Sequence, residues 1–160
     1  MAGQGLAIKW ILFPEDLSQA YEVRRKVFVE EQNCPPEDEF DVIDKISEHA
    51  VLMDSDDNAL ATARIFERSP EQASLGRLAV LKEHRGKGYG FTIVDHCLQR
   101  LKKQGYPDVL IHAQTHAIPF YENLGFEVIG DEFMEDNIPH VEMLHKFDDH
   151  SAIFFENTQI

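Results

Sequence analysis

Residues Leu75 to Leu101, LGRLAVLKEHRGKGYGFTIVDHCLQRL, constrain the fold more than any other stretch of the chain. Leu78, Ala79, Val80 and Leu81 form a short apolar run closed by a polar turn, which predicts a buried strand. From about Tyr89, residues Phe91, Val94, Cys97, Leu98 and Leu101 recur at three- and four-residue steps and predict an amphipathic helix. Between the two lies Arg85-Gly86-Lys87-Gly88-Tyr89-Gly90, with three glycines where the helix begins. The N–H groups that open a helix lack internal partners, and the helix dipole concentrates partial positive charge there. Glycines allow an anion to approach those N–H groups, and Arg85 and Lys87 add full charges. The combination predicts a phosphate cradle. No GxxxxGKS/T loop is present. In a GxGxxG reading from Gly86 and Gly88 the third glycine would fall at Phe91. What remains is Arg-x-x-Gly-x-Gly, from Arg85 to Gly90.

At 160 residues, with 43% hydrophobic and 28% charged residues, the chain has the length and composition of one globular domain. No apolar run approaches a membrane span, and MAGQGLAIKW lacks the basic start and apolar stretch of a signal peptide. Cys34 and Cys97 offer no disulfide framework, and Cys97 falls on the apolar helix face, as a reduced core thiol would. The expected location is cytoplasmic. A net charge of −14 argues against nucleic acid as a partner and favours encounter with a cation such as a free amine. Against that background Lys82, Arg85 and Lys87 form a local basic turn suited to an anionic ligand.

Along the chain, Leu6 to Phe13 reads as a first strand. Pro14 opens a helix to about Gln32 with Leu17, Ala20, Tyr21, Val27 and Phe28 on its buried stripe and the stem of Arg24 at its margin. Glu37 to Asp44 is an acidic loop or short helical turn. His49–Met53 and Ala59–Phe66 flank a turn rich in Asp and Asn and predict a hairpin. Arg68 to Ser74 reads as a surface connection. After the long helix, Gly105 and Pro107 mark its end, Val109 to Ala113 is a strand, and a helix with Pro119 in its first turn runs to Gly125. Phe126–Phe133 and Val141–Phe147 are two further strands joined by Met134 to Pro139. The order predicts a mixed α/β sheet with helices on both faces. Residues 1–147 form the domain. Residues 148–160, which include Ile153, Phe154 and Phe155, form a tail that together with the strand edges offers a route to a homodimer.

A second motif lies in Ala117-Ile118-Pro119-Phe120-Tyr121-Glu122-Asn123-Leu124-Gly125-Phe126. With Arg85–Gly90 it resembles the GCN5-related N-acetyltransferase (GNAT) superfamily, whose pattern here is Ala-x-x-Phe-Tyr-x-x-x-Gly-Phe after a strand. Arg24, Phe28, Glu31-Gln32, Glu48-His49 and Ile138-Pro139-His140 are similar to its ElaA/YjcF-like subgroup, so the resemblance covers nearly the whole chain to Phe147. It implies a mostly antiparallel mixed sheet in which the central strand and the strand after the long helix run parallel and splay apart around the pantetheine arm. It implies acetyl-CoA as cofactor, held by Leu78, Ala79, Val80, Arg85, Gly86, Lys87, Gly88, Tyr89, Gly90, Gln114, Phe120 and Tyr121. Gln114 stands where family members usually carry Asn. By spacing alone Phe120 is a core aromatic. The family strand bulges near Leu78 to Val80, which implies that a main-chain N–H there meets the oxyanion formed in acyl transfer.

The implied activity is acetyl transfer to the primary amine of a small molecule by direct attack in a ternary complex. The alternatives are a protein amine as acceptor, or an acetyl-CoA-binding module without turnover. A phenol, with a pKa of about 10, can protonate a departing thiolate, which makes Tyr121 the candidate general acid. Glu48 is the first candidate base and His140 the second, with His49 and Glu132 as further candidates; a water chain without a dedicated base is the remaining option. His112 and His116 straddle a strand end, and no Cys or His cluster has structural-zinc spacing, so no metal is expected.

Overall fold

The computed structural model describes residues 5–147. Eight strands form one sheet in the order β1-β2-β3-β4-β5-β8-β6, with β7 pairing β8 outside that path. They are β1 (Ala7–Leu12), β2 (Glu48–Met53), β3 (Ala59–Ser69), β4 (Gln72–Val80), β5 (Asp108–Gln114), β6 (Phe126–Val128), β7 (Phe133–Glu135) and β8 (Ile138–Lys146). All pairings are antiparallel except β4 with β5. Helix α1 (Ser18–Arg24), continued as a π-helix over Arg25–Glu31, lies with the short α2 (Pro36–Glu39) on one face. Helices α3 (Tyr89–Lys103) and α4 (Ile118–Glu122) cover the other.

The main core sits between the sheet and α3. Ala61, Ala63 and Ile65 of β3, Val109, Ile111 and Ala113 of β5 and Met143 of β8 meet Ile93, Val94, Cys97, Leu98 and Leu101 there. Phe91 does not belong to that stripe; it is exposed and Ile93 takes its place. At 100° per residue, position 91 lies about 90° from the centre of the stripe that 93, 94, 97, 98 and 101 define. On the opposite face Val23 and Val27 pack on Ala79 and Leu81, while Leu17 and Ala20 pack on Ile11, Val51 and Met53.

Other expectations also need correction. Arg68 to Ser74 is no loose connection: β3 and β4 run almost to Pro70-Glu71 and form a hairpin across it. Met134 to Pro139 holds a second hairpin, β7–β8, whose turn residues Asp136 and Asn137 have φ of 51° and 63°. Asp and Asn are the non-glycine residues that tolerate this left-handed turn geometry. Arg24 is not marginal but fully buried, guanidinium included. It donates to Glu39 (Nε to Oε2, 2.8 Å) and to Asp44 (Nη1 to Oδ1, 2.7 Å). Arg64 of β3 donates to Asp41 at 2.6 Å and to Asp44 at 2.8 Å, and Arg77 of β4 completes the group on Glu39 and Asp41. Glu39, Asp41 and Asp44 of the acidic segment are thus neutralised by three arginines. No described helix is long and apolar enough to cross a membrane. The expected tail, 148–160, lies outside the described residues.

Candidate active site

The β4–β5 ladder pairs Gln72 with Asp108, Ala73 with Val109 and Ser74 with Leu110, and stops there. Beyond Ser74 the two strands diverge, and a cleft of about 430 Å³ opens between their C-terminal halves. Its floor is β4 from Leu75 to Val80; Gln114, Phe120 and Tyr121 form one wall, and Val27, Phe28, Gln32 and Cys34 the other. A π-helical stretch supplies Val27 and Phe28 of the second wall, a widening found disproportionately at functional sites.

At one end the cleft reaches the glycine turn. Gly86 and Gly88 have φ of +79° and +82°, a conformation that L-residues rarely adopt. A Cβ on either would meet nothing within 4 Å, so the space over the turn is open. Gly88 is the N-cap of α3, and the first helical N–H bond to close is that of Thr92 onto the Gly88 carbonyl, at 3.0 Å. The N–H groups before it have no intrahelical acceptor. Gly90 packs against Phe120 and Val80, where a Cβ would lie 3.4 Å and 3.6 Å from their side chains. Lys87 is exposed. Arg85 is not a free cation: it donates both terminal nitrogens to Glu31, at 2.7 and 2.8 Å, and Nε to the Val80 carbonyl at 3.0 Å. Its charge is shared with Glu31, and it ties the turn to the π-helical wall.

Tyr121 lines the cleft and is almost fully buried. Burial pushes its hydroxyl pKa well above the usual phenol range, with Cys97 adding to the shift. Gln114 donates Nε2 to Gln32 at 3.0 Å, bridging the two walls, and accepts from His116 at 2.7 Å.

At the other end stand His140, Glu135, His112 and Asp136. His140 is buried, lies over Phe133 and donates Nδ1–H to the Ile138 carbonyl at 2.7 Å. That tautomer leaves the Nε2 lone pair free. Nε2 is 3.8 Å from Glu135 Oε2, whose partner oxygen lies 3.1 Å from His112 Nδ1. His112 Nε2 lies 3.2 Å from Glu142, so both ring nitrogens face carboxylates. The Glu135 hydrogen bond leads in raising the His112 pKa, against the opposing effect of burial.

Glu48 lies elsewhere. Arg100 donates to it at 2.6–2.7 Å and Gln104 at 2.9 Å, while the Arg100 guanidinium sits over Trp10 at 4.3 Å. Arg100 is ten residues along α3 from Gly90, about 15 Å at the helical rise. Glu48 therefore serves as a clasp between the sheet and the last turn of α3, away from the cleft. His49 is fully buried on the opposite face with Nε2 on the Asp44 carbonyl at 3.0 Å, and Glu132 is exposed outside the cleft. Of the residues that line the cleft, sequence reasoning did not single out Glu135 or Arg77, and it weighed His112 only as a metal ligand. His112 was legible: it shares its strand face with Gln114, two residues on. Among the described residues no group of three or more His, Cys, Asp or Glu is arranged to hold a metal ion.

Similarity to known proteins accords with this geometry. The acetyltransferase (GNAT) domain family matches residues 16–147. The uncharacterized N-acetyltransferase YjcF of Bacillus subtilis is 36% identical over 131 residues, which cover 81% of this chain and 92% of YjcF. The crystal structure of Escherichia coli ElaA superposes with a TM-score of 0.79 at 28% identity, over 88% of this chain and 99% of ElaA. A GNAT family acetyltransferase from Elizabethkingia anophelis, whose crystal structure has acetyl-CoA bound, superposes with a TM-score of 0.68 at 12% identity, over 90% and 99% of the two chains. At that identity the likeness is one of fold. With the splayed β4–β5 pair, the glycine turn and these relatives together, the chain belongs to the GNAT N-acetyltransferase family, in its ElaA/YjcF-like subgroup.

Proposed function

We propose that the cleft takes acetyl-CoA from the glycine-turn end and the primary amine of a small molecule from the His140 end, and that the amine attacks directly in a ternary complex. The observation that carries this reading is the end of the β4–β5 ladder at Ser74 and Leu110, which opens one continuous space between an anion cradle and a buried phenol and imidazole. The turn suits a diphosphate. Gly86 and Gly88 leave room above it, the N–H groups of α3 meet the charge, and Lys87 is unpaired among the described residues. Leu78, Ala79, Val80, Gln114 and Phe120 would flank the arm that runs inward. When bound, acetyl-CoA supplies an acetyl group activated as a thioester.

The chain's own residues then manage two protons. Tyr121 keeps its proton at neutral pH, because burial disfavours the phenolate, and can give it to the departing sulfur. His140 offers Nε2 to the incoming ammonium, and Glu135 stands next to that nitrogen to stabilise the imidazolium. His112 fixes the second oxygen of Glu135. Glu48 has no part in this scheme. Two buried, free cysteines fit a reducing, cytoplasmic setting.

A panel of small amines offered with acetyl-CoA, read by thiol release, tests the proposal. Release with at least one small amine is the expected result. Binding of acetyl-CoA without release across a broad panel would instead identify a cofactor-binding module, and release only with peptides would identify a protein amine as acceptor.

A further inference from the structure

The floor of the cleft carries a bulge next to the stretch where the family resemblance implies one, and the reaction scheme leaves unexplained what holds it in place. In the β3–β4 ladder Thr62 faces Ala79 and Arg64 faces Gly76, so Ala63 alone opposes both Arg77 and Leu78. One extra residue in β4 makes a bulge, and Arg77 occupies its left-handed position with φ of 51°. Glycine is the usual occupant of such a position, because a Cβ crowds the backbone there. On the other side of β4 the pairing with β5 has already ended at Ser74. The main chain of Arg77 and Leu78 therefore lies outside both ladders and lines the cleft.

The bulge also reverses which face each side chain meets. Before it, Ala73 and Leu75 belong to the core under α3; after it, Leu78 and Val80 pack on that core. The extra residue turns Arg77 to the opposite face, with Ala79. There its Nε meets Glu39 Oε2 at 3.0 Å and the Glu39 carbonyl at 3.2 Å. Its Nη2 donates to the Asp38 carbonyl and to Asp41 Oδ2, both at 3.2 Å. Glu39 and Asp41 are held in turn by the buried Arg24 and Arg64. The segment so gripped follows the π-helical stretch after a six-residue connection, and its Glu39 lines the cleft. One guanidinium thus joins the wall of the cleft to the bulge in its floor. Only a planar fork with several donors can reach all four acceptors at once.

We propose that Arg77 is a positioning residue. By anchoring its side chain on Glu39, Asp38 and Asp41 it holds the β4 bulge open, so that the main-chain groups of Arg77 and Leu78 face the thioester in a fixed geometry. This rests on acetyl-CoA occupying the cleft. The diphosphate grip at Gly86 to Gly90 is separate from the bulge, so cofactor affinity and chemistry should part company on substitution.

Arg77→Gly keeps a residue suited to the left-handed position and removes the tether; Arg77→Lys keeps the charge and removes the fork. Both are expected to bind coenzyme A within a few-fold of wild type, with KM for acetyl-CoA little changed and kcat lowered about tenfold or more. Hydrogen exchange of the amides at positions 77 and 78 should slow on addition of acetyl-CoA in the wild type and not in Arg77→Gly. Asp41→Asn cuts the tether from its more exposed end and should show the same split in milder form, should the Arg77 variants fail to fold. Wild-type kcat in folded Arg77→Gly, or equal amide protection in variant and wild type, would overturn the proposal. If the wild type acetylates no amine, the catalytic reading fails on its own, and the exchange comparison alone decides the role of Arg77. Absence of amide protection in the wild type overturns it too.

Discussion

Tyr121 and His140 carry the chemistry of the proposed reaction, and each has a separate signature. No described group hydrogen-bonds the Tyr121 hydroxyl, so Tyr121→Phe removes no internal hydrogen bond and leaves the buried ring in place. The melting temperature should change little, while kcat should fall about 100-fold or more, the range of a lost general acid. A turnover assay paired with a melting curve checks both. His140→Gln should lower kcat/KM at neutral pH about tenfold or more. The deficit should shrink as pH rises, because the amine then loses its proton to solvent before it binds. A profile from pH 6.5 to about 9.5 reads this convergence; a constant deficit would assign His140 a packing role. At this scale the sequence misled most. Glu48 and His140 are both polar residues at strand ends. Only the ion pair of Glu48 with Arg100, and the tautomer that the Ile138 carbonyl imposes on His140, separate clasp from candidate base.

Elements position the site through their ends. The glycine turn works because a strand stops, two residues adopt positive φ, and a helix begins with unpaired N–H groups. Gly88→Ala introduces no clash, since a Cβ there meets nothing within 4 Å. It forces a left-handed alanine, at a cost of about 1 kcal/mol. The variant should melt slightly lower and bind coenzyme A several-fold more weakly, measurable by calorimetry. Equal affinity would place the diphosphate elsewhere. The turn, α3 and the Phe120-Tyr121 helix were legible because periodicity and glycine spacing are local properties of the chain. The β3–β4 hairpin end was not, since Glu67, Arg68 and Gln72 make its strands polar near the tip, nor was β7, which at three residues draws its order from β8.

For the whole molecule, the buried arginine–carboxylate group decides the response to acid. Burial alone would raise the pKa of Asp44, but the hydrogen bonds and charges of Arg24 and Arg64 outweigh it and hold the group down to about 2. A carboxylate depressed on folding contributes stability above its unfolded pKa and loses it as pH falls through the folded value. Asp44 alone should thus contribute about 2 kcal/mol, lost between about pH 4 and pH 2. Asp41, also depressed despite burial, acts in the same direction. His49, kept neutral by burial, adds a loss that begins as pH falls below its unfolded value near 6.5. Glu39, raised by burial, works in the opposite sense. Urea unfolding at a series of pH values should show the decline, and Asp44→Asn should flatten its steepest part below pH 4.

The sequence by itself determined the family-level architecture and the glycine-turn end of the cleft. Strand, glycine turn and amphipathic helix are encoded by neighbours within a few residues of one another, and so is the Phe120-Tyr121 motif. Tertiary structure decided the His140 end and the charge balance. His112 and Glu135 meet only because β5 and β7 both pair with β8, and Arg77 reaches Glu39 only because a bulge turns it across the sheet. The fate of a charged side chain depends on which partner lies within about 4 Å, where burial and pairing set its energy. Residues 36 to 39 and 52 to 56 positions apart supply those partners for Arg77 and Glu48. No local pattern in the chain records such distances.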